Sequence, residues 1–272
     1  MTQQNPSALS LERQGGVLHV RLNRPEVRNA MSQAMLVELL DTLAEAEAEN
    51  SGVRIVVLRG SGGHFSAGAD LKDMAVARAT PIAHQTDPIA ETNAKFGYVC
   101  AAYARSPLAI VAVLEGSVMG GAFGLACTAD VAIASHTVDL RLPETSLGVI
   151  PAQIAPFLVE RIGYAEAKRL AVTGARFGAG EAYRIGLVHW VCENDADLEA
   201  AIATTIKQIV AGAPGAIAET KKLLRRARFE DPATLVEHAA AVFASAARGP
   251  EGEEGVRAFI EKRKPAWAAA SA

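Results

Sequence analysis

The hydrophobic positions of this chain change period several times, and each change marks an element. Two runs, 9–13 and 17–22, flank Gly15-Gly16 and predict a β-hairpin. Behind Ser32, a suitable helix cap, Met35, Leu36, Leu39, Leu40 and Leu43 recur at helical spacing. Residues 54–58 form a compact apolar run of buried-strand type; 109–114 form a second, and 131–134 a short third. A polar stretch with Pro81 and Pro88 leads into a helix expected around 93–105. Beyond Asp197 the pattern is wholly helical, over 198–211, 214–227, 235–247 and 251–264. The fold class expected is α/β: a core over 1–197, then a helical region over 198–272 suited to packing on other subunits.

Pro107 to Ala129 carries one charged residue, Glu115, and a GxxxG ladder of Gly116, Gly120 and Gly124. A membrane helix could be read there. The charge and glycines at its centre, and the strand-like 109–114, favour a buried strand and a turn instead. Two glycine-bearing turns then stand out. One runs from His64 through Phe65-Ser66-Ala67-Gly68-Ala69 to Asp70, the other from Gly116 through Gly120-Gly121 to Ala122. Each follows a buried-strand run and precedes a helix-like stretch. Small residues leave main-chain N–H groups free to meet a ligand, and a helix start adds its positive dipole end. Converging on one carbonyl oxygen, two such turns would form an oxyanion hole.

Half the residues are hydrophobic, enough to bury a sizeable core, and the net charge of −3 offers no basic field for nucleic acid or anionic lipid. Lys262-Arg263-Lys264 reads as a solvated helix end. Cys100, Cys127 and Cys192 form no CxxC pair and read as reduced core residues. The first fifteen residues lack a signal-peptide apolar core, so a cytoplasmic location is expected. No Gly-Lys-Ser/Thr follows either turn, which argues against a phosphate loop. Ser66 has His64 where a nucleophile elbow needs glycine. The six histidines show no HxH or HExxH spacing, so no metal is expected.

Several strings in order carry a resemblance. They are Leu22-Asn23-Arg24-Pro25 with Asn29-Ala30-Met31, Phe65 to Leu71, Gly116 to Gly121, Pro143-Glu144 with Leu147-Gly148, Thr173-Gly174 to Ala182 with Gly186-Leu187-Val188, and Phe259 to Arg263. Together they resemble the enoyl-CoA hydratase/isomerase, or crotonase, superfamily over nearly the whole chain. The resemblance implies a spiral of ββα units with a C-terminal helical region that trimerises, often as a dimer of trimers. It implies an acyl-CoA substrate, coenzyme A entering as part of that substrate, and no metal or redox cofactor.

It also implies residue roles. Ala69 and Gly121 N–H would hold the thioester oxygen, each donor stabilising enolate charge by about 3–4 kcal/mol. Ala67 and Leu71 would meet the adenine, while Arg28 and Lys72 would serve the phosphates. Phe259 and Lys262 match residues lent by a neighbouring subunit. Glu144 is the matched acid–base carboxyl, its pKa expected to rise among Leu142, Leu147 and Val149. Asp70 could cap the next helix or touch substrate; Asp130 and Asp139 read as structural.

Two departures qualify the match. Hydratases commonly carry a second glutamate where this chain has Gly124, a change expected to enlarge the pocket beside the β-carbon. After Gly148 the chain reads Pro151-Ala152-Gln153-Ile154, and Gln153 could offer its amide to water or acyl chain, or be structural. The run from Leu142 to Gln153 looks like that of branched-glutaconyl-CoA hydratases of terpenoid degradation. The leading expectation is an enoyl-CoA hydratase. The runner-up is a Δ3,Δ2-enoyl-CoA isomerase, which needs only one base. A third reading is an acyl-CoA-binding or RNA-associated relative without turnover.

Overall fold

The computed structural model describes residues 7–82 and 87–269. Its strands are β1 (Leu9–Gln14), β2 (Val17–Leu22), β3 (Ile55–Gly60), β4 (Ala109–Leu114), β5 (Ser117–Met119), β6 (Val131–Ser135), β7 (Asp139–Arg141), β8 (Phe177–Gly178) and β9 (Trp190–Cys192). A six-stranded sheet has the order β1-β2-β3-β4-β6-β9, and β5-β7-β8 make a smaller one. The hairpin pairs antiparallel; every other junction of the large sheet is parallel.

Helices run in chain order: α1 (Gln33–Glu47), α2 (Leu71–Ala79), α3 (Pro88–Arg105), α4 (Gly121–Cys127), α5 (Ala155–Thr173) and α6 (Ala179–Arg184). The chain continues as α7 (Asp195–Ala211), α8 (Pro214–Ala227), α9 (Pro232–Arg248), α10 (Pro250–Ile260) and α11 (Ala266–Ala269).

The apolar run that allowed a membrane reading divides into β4, β5 and α4, and β4 is a central strand buried at every position. A parallel strand covered on both faces needs no polar alternation. Ile110, Ala112 and Leu114 enter one hydrophobic cluster with Met35, Leu39 and Leu43 of α1. Ala109, Val111 and Val113 enter a second with Leu198 and Ile202 of α7. Each of the larger side chains, the valines, leucines, isoleucines and Met35, contributes about 1.5–3 kcal/mol on full burial. Among the described residues, no single helix is long and apolar enough to cross a membrane.

Ser32 caps α1 by accepting the Met35 N–H, as its position predicts. The helix after the polar stretch begins earlier than the periodicity suggests. Asp87 caps it, and Pro88 takes the first helical position, where no N–H is needed. The second glycine turn contains the short strand β5. The last long helix stops at Ile260 rather than 264, because Lys262 turns left-handed at φ 56° and Arg263 N–H returns to Ala258 O. Of the region from 198 onward, α7 covers one face of the large sheet, while α8 to α10 bury only Leu235 and Ala258.

Candidate active site

The two glycine turns meet directly. Ser66 and Val118 form a parallel bridge, with Ser66 N–H donating to Ser117 O at 2.9 Å and Met119 N–H to Ser66 O at 3.1 Å. Gly68, at φ 90°, lies so close to the second turn that a methyl on it would sit 2.6 Å from Met119 O and 3.7 Å from Gly121 N. Only glycine fits there, sterically and conformationally.

Nearly every N–H of the first turn is occupied. Phe65 donates to Glu115 O, Ala67 to Arg28 O, Gly68 to Ser66 Oγ and Asp70 to Met31 O. Between Phe65 and Asp70, Ala69 is the exception among the described residues: its N–H has no partner, and the residue is exposed between buried Gly68 and Asp70. In the second turn, Gly120 N–H donates to Arg141 O, whereas Gly121 opens α4, where a helix leaves its first donors unpaired. The two positions matched to the donors thus carry available N–H groups on touching turns. A methyl on Gly121 would meet Phe96 Cζ at 3.2 Å and Met31 Cε at 3.3 Å, which marks apolar walls beside the donor.

Glu144 follows on the short turn after β7. A methyl on Gly120, itself at φ 52°, would lie 2.9 Å from Glu144 Oε1, so the carboxyl borders the glycine next to the donor. Its Oε2 is buried without a hydrogen-bond partner among the described residues. Burial raises the Glu144 pKa above its ordinary value of 4.5. The shielding differs from expectation: Leu142 is buried, but Leu147 is 65% exposed. The glycine turn, at Gly120, stands against the carboxyl instead.

Position 124 overturns its expectation. Gly124 is buried, and a methyl there would overlap Cβ and Cγ2 of Ile154, itself only 2% exposed. The missing side chain therefore leaves no enlarged pocket; the isoleucine fills the space and Gly124 lines none of it. Gln153 donates its amide to Asn93 Oδ1 at 2.8 Å, and its carbonyl covers Gly97 on α3. In the structure its amide is thus engaged with Asn93.

Asp70 caps α2 by accepting Lys72 N–H at 2.9 Å and pairs with Arg24 at 2.8 Å. Burial pushes its pKa up, but the guanidinium and the N–H outweigh that and hold it below the ordinary value. Arg28, Leu71 and Lys72 are exposed and Ala67 partly so; Arg28 and Ala67 lie in loops, and Leu71 and Lys72 open α2 just after Ala69. Phe259, 85% exposed, and Lys262 lie at the end of α10, which packs on α9. Asp130 accepts Ile110 N–H and Lys221, and Asp139 pairs with Arg176, both structural as expected. Among the described residues, no cluster of three metal-type ligands occurs.

Sequence reasoning assigned no role to Asn29, Phe96 or Ile154. Asn29 carried a signal, since asparagine tolerates the left-handed region better than most residues. Phe96 and Ile154 act by tertiary contact alone, which no local spacing reports.

Two backbone donors on adjoining turns, beside one half-buried carboxyl, are equipment suited to stabilising negative charge developing on a carbonyl oxygen. The chain matches the enoyl-CoA hydratase/isomerase family model over residues 12–270, and it belongs to that family. An enoyl-CoA hydratase/isomerase structure from Marinobacter aquaeolei superposes with a TM-score of 0.93 at 49% identity, over 96% of this chain and 99% of that one. Pseudomonas aeruginosa AtuE does so at 0.92 and 48%, with the same coverage. The 2,3-dehydroadipyl-CoA hydratase of Escherichia coli is 30% identical over 260 residues, covering 95% of this chain and 98% of its own length. The fold is accordingly the crotonase fold.

Proposed function

We propose that the protein is an enoyl-CoA hydratase that adds water across the α,β double bond of an acyl-CoA thioester. The observation that carries this reading is the unpaired Ala69 N–H on a turn packed against Gly121, with the Glu144 carboxyl bordering Gly120 through Oε1 and its Oε2 left without a partner. The thioester oxygen sits on Ala69 and Gly121 N–H. Glu144 takes a proton from water as the oxygen attacks Cβ; the enolate then collapses and takes that proton at Cα. One carboxyl completes the balance, since the proton removed is the proton returned. Its raised pKa suits both halves of the exchange. Arg28 and Lys72 serve the phosphates of coenzyme A, and Ala67 and Leu71 its adenine.

Isomerisation is the second reading, and the packing of Ile154 against Gly124 favours it. With no second carboxyl at that helix position, a single base moving a proton from C2 to C4 meets every requirement. Loss of conjugated-enoyl absorbance from crotonyl-CoA tests hydration, and gain of absorbance from a 3-enoyl-CoA tests isomerisation. Glu144→Gln abolishes whichever activity is present; retained turnover in that variant removes Glu144 from the chemistry. Activity with neither substrate, alongside thioester binding, would leave a binding protein.

The exposed apolar residues Phe229, Val236, Phe243 and Phe259 on and beside α8 to α10 support a trimer or dimer of trimers, in which Phe259 and Lys262 reach a neighbour's coenzyme A. Light scattering at micromolar concentration checks it.

A further inference from the structure

The Ala69 donor is held by a polar scaffold that no part of the proposed chemistry uses. Asn29 is fully buried, yet all its side-chain groups are spent. Its Oδ1 accepts Arg24 N–H at 2.9 Å; its Nδ2 donates to Ser61 O at 2.8 Å and His64 O at 2.7 Å. One asparagine thus ties the 24–31 loop to the start of the glycine turn. Ser66, also fully buried, donates from Oγ to Asn29 O at 2.7 Å and accepts Gly68 N–H at 3.1 Å. The next N–H along is that of Ala69.

The backbone contributing these bonds is strained. Arg28 and Asn29 both lie in the left-handed region, at φ 49° and 56°, and the other non-glycine residue there is Lys262 among those described. Two consecutive residues in that region persist only where the surroundings over-determine them, and such strain clusters at functional sites. The strained pair turns Arg28 O toward Ala67 N–H and Asn29 O toward Ser66 Oγ. Met31 then receives Asp70 N–H and gives its own N–H to Gly68 O, bracketing Ala69 from the far side. The donor left free is therefore the one whose neighbours are fixed from both directions.

We propose that Asn29 and Ser66 are positioning residues for the oxyanion donor of Ala69. The Ser66 hydroxyl occupies Gly68 N–H so that the turn cannot rotate, and Asn29 fixes the hydroxyl's acceptor in place. This rests on the oxyanion reading of Ala69 and Gly121. Their contribution belongs to the enolate rather than to the bound ground state, because a donor preset for developing charge acts where that charge is largest.

The test is the series wild type, Ser66→Cys and Ser66→Ala; the thiol keeps a weak donor and acceptor where alanine keeps neither. Three readouts are taken per folded site, with folding followed by circular dichroism: kcat, KM, and the spectrum of a bound 3-oxoacyl-CoA titrated with pH. Removing an oxyanion donor outright costs about 10²–10³ in kcat, so misplacing one predicts a loss on the order of tenfold in Ser66→Ala. KM stays within about threefold. The bound 3-oxoacyl-CoA forms its enolate about one pH unit higher, the same tenfold read at equilibrium. Ser66→Cys falls between, and carries the test alone if the alanine variant does not fold.

A variant series with unchanged kcat per folded site, or with lowered kcat and no enolate shift, overturns the proposal and leaves the network a fold determinant. A wild type that turns over enoyl-CoA substrates yet ionises no bound 3-oxoacyl-CoA also overturns it. If the wild type does neither, the oxyanion assignment itself fails first, and the two failures are distinguishable.

Discussion

Gly124→Ala is the sharpest probe of the pocket wall, because it asks whether the space opposite α4 is truly occupied. The new methyl would overlap Cβ and Cγ2 of Ile154 while standing 3.5 Å from its Cα, an ordinary contact. Both residues are buried, so neither swings into solvent. Forcing an extra carbon into a filled core costs typically 1–3 kcal/mol; an overlap with the stem of a β-branched side chain belongs at the upper end, about 3 kcal/mol. Alanine regains about 1 kcal/mol of helix propensity over glycine. The net is about 2 kcal/mol of destabilisation, or a fall of about 4–8 °C in melting temperature for a domain of this size. The assay is thermal unfolding of a cycle: wild type, Gly124→Ala, Ile154→Gly and the double variant. Ile154→Gly alone loses an entire buried side chain, but in the Gly124→Ala background it also removes the overlap. The two changes therefore couple favourably by about 3 kcal/mol. Ile154→Ala relieves less, since its Cβ is one of the clashing atoms. A Gly124→Ala protein that melts at or above wild type, or a cycle that is additive, refutes the packing argument and restores an open pocket at this position.

Three further outcomes follow from the same geometry. The carboxylate of Glu144 must be ionised to take a proton, and burial raises its pKa, so kcat/KM falls on the acid side with a midpoint above 4.5; a midpoint at or below that value refutes the assignment. Asp70 has a folded pKa held below 3.8, so it stabilises the protein above that pH and the benefit disappears as pH falls through the folded value. Asp70→Asn should lower the melting temperature at pH 7 by an amount equivalent to about 1.5–3 kcal/mol and match wild type at the lowest pH; a constant gap at every pH contradicts the pairing with Arg24. Gly97→Ala drives the Gln153 carbonyl off α3 and breaks its bond to Asn93, an exposed pair worth under about 1 kcal/mol. Gln153→Ala in the same chain should remove the penalty, and a penalty that persists locates the clash elsewhere.

What could be read from residues alone was governed by distance along the chain. The hairpin, the Ser32 cap, β4 and the limits of α8 come from spacing and turn chemistry within a few residues, and the structure reproduces them. The glycine turns were legible because a demand for small residues leaves a mark on composition at the site itself. Gly124 was misread for the opposite reason. Its neighbour across the core, Ile154, stands far away in sequence, and a glycine looks the same whether it opens a cavity or accommodates a larger residue. The early end of α10 escaped notice because its stop uses a left-handed lysine rather than glycine. Asn29 showed a conformational hint, but its value lies in bonds to Ser61 and His64 that only folding brings together.

The filled position beside Gly124 constrains the chemistry more than the missing glutamate does. A vacant space could admit a water or a substrate carboxylate to act as the second acid; a space held by an isoleucine admits neither. In the proposed hydration, the proton that reaches Cα is then the one Glu144 has just taken from water, and both new bonds form on the face of the double bond that Glu144 occupies. The carboxyl can serve in this way because one oxygen lies against Gly120 while the other has no partner to release. A carboxylate already saturated by donors would give up basicity at the first step. In that proposed route, the oxygen without a partner leaves a single group free to accept and return the same proton.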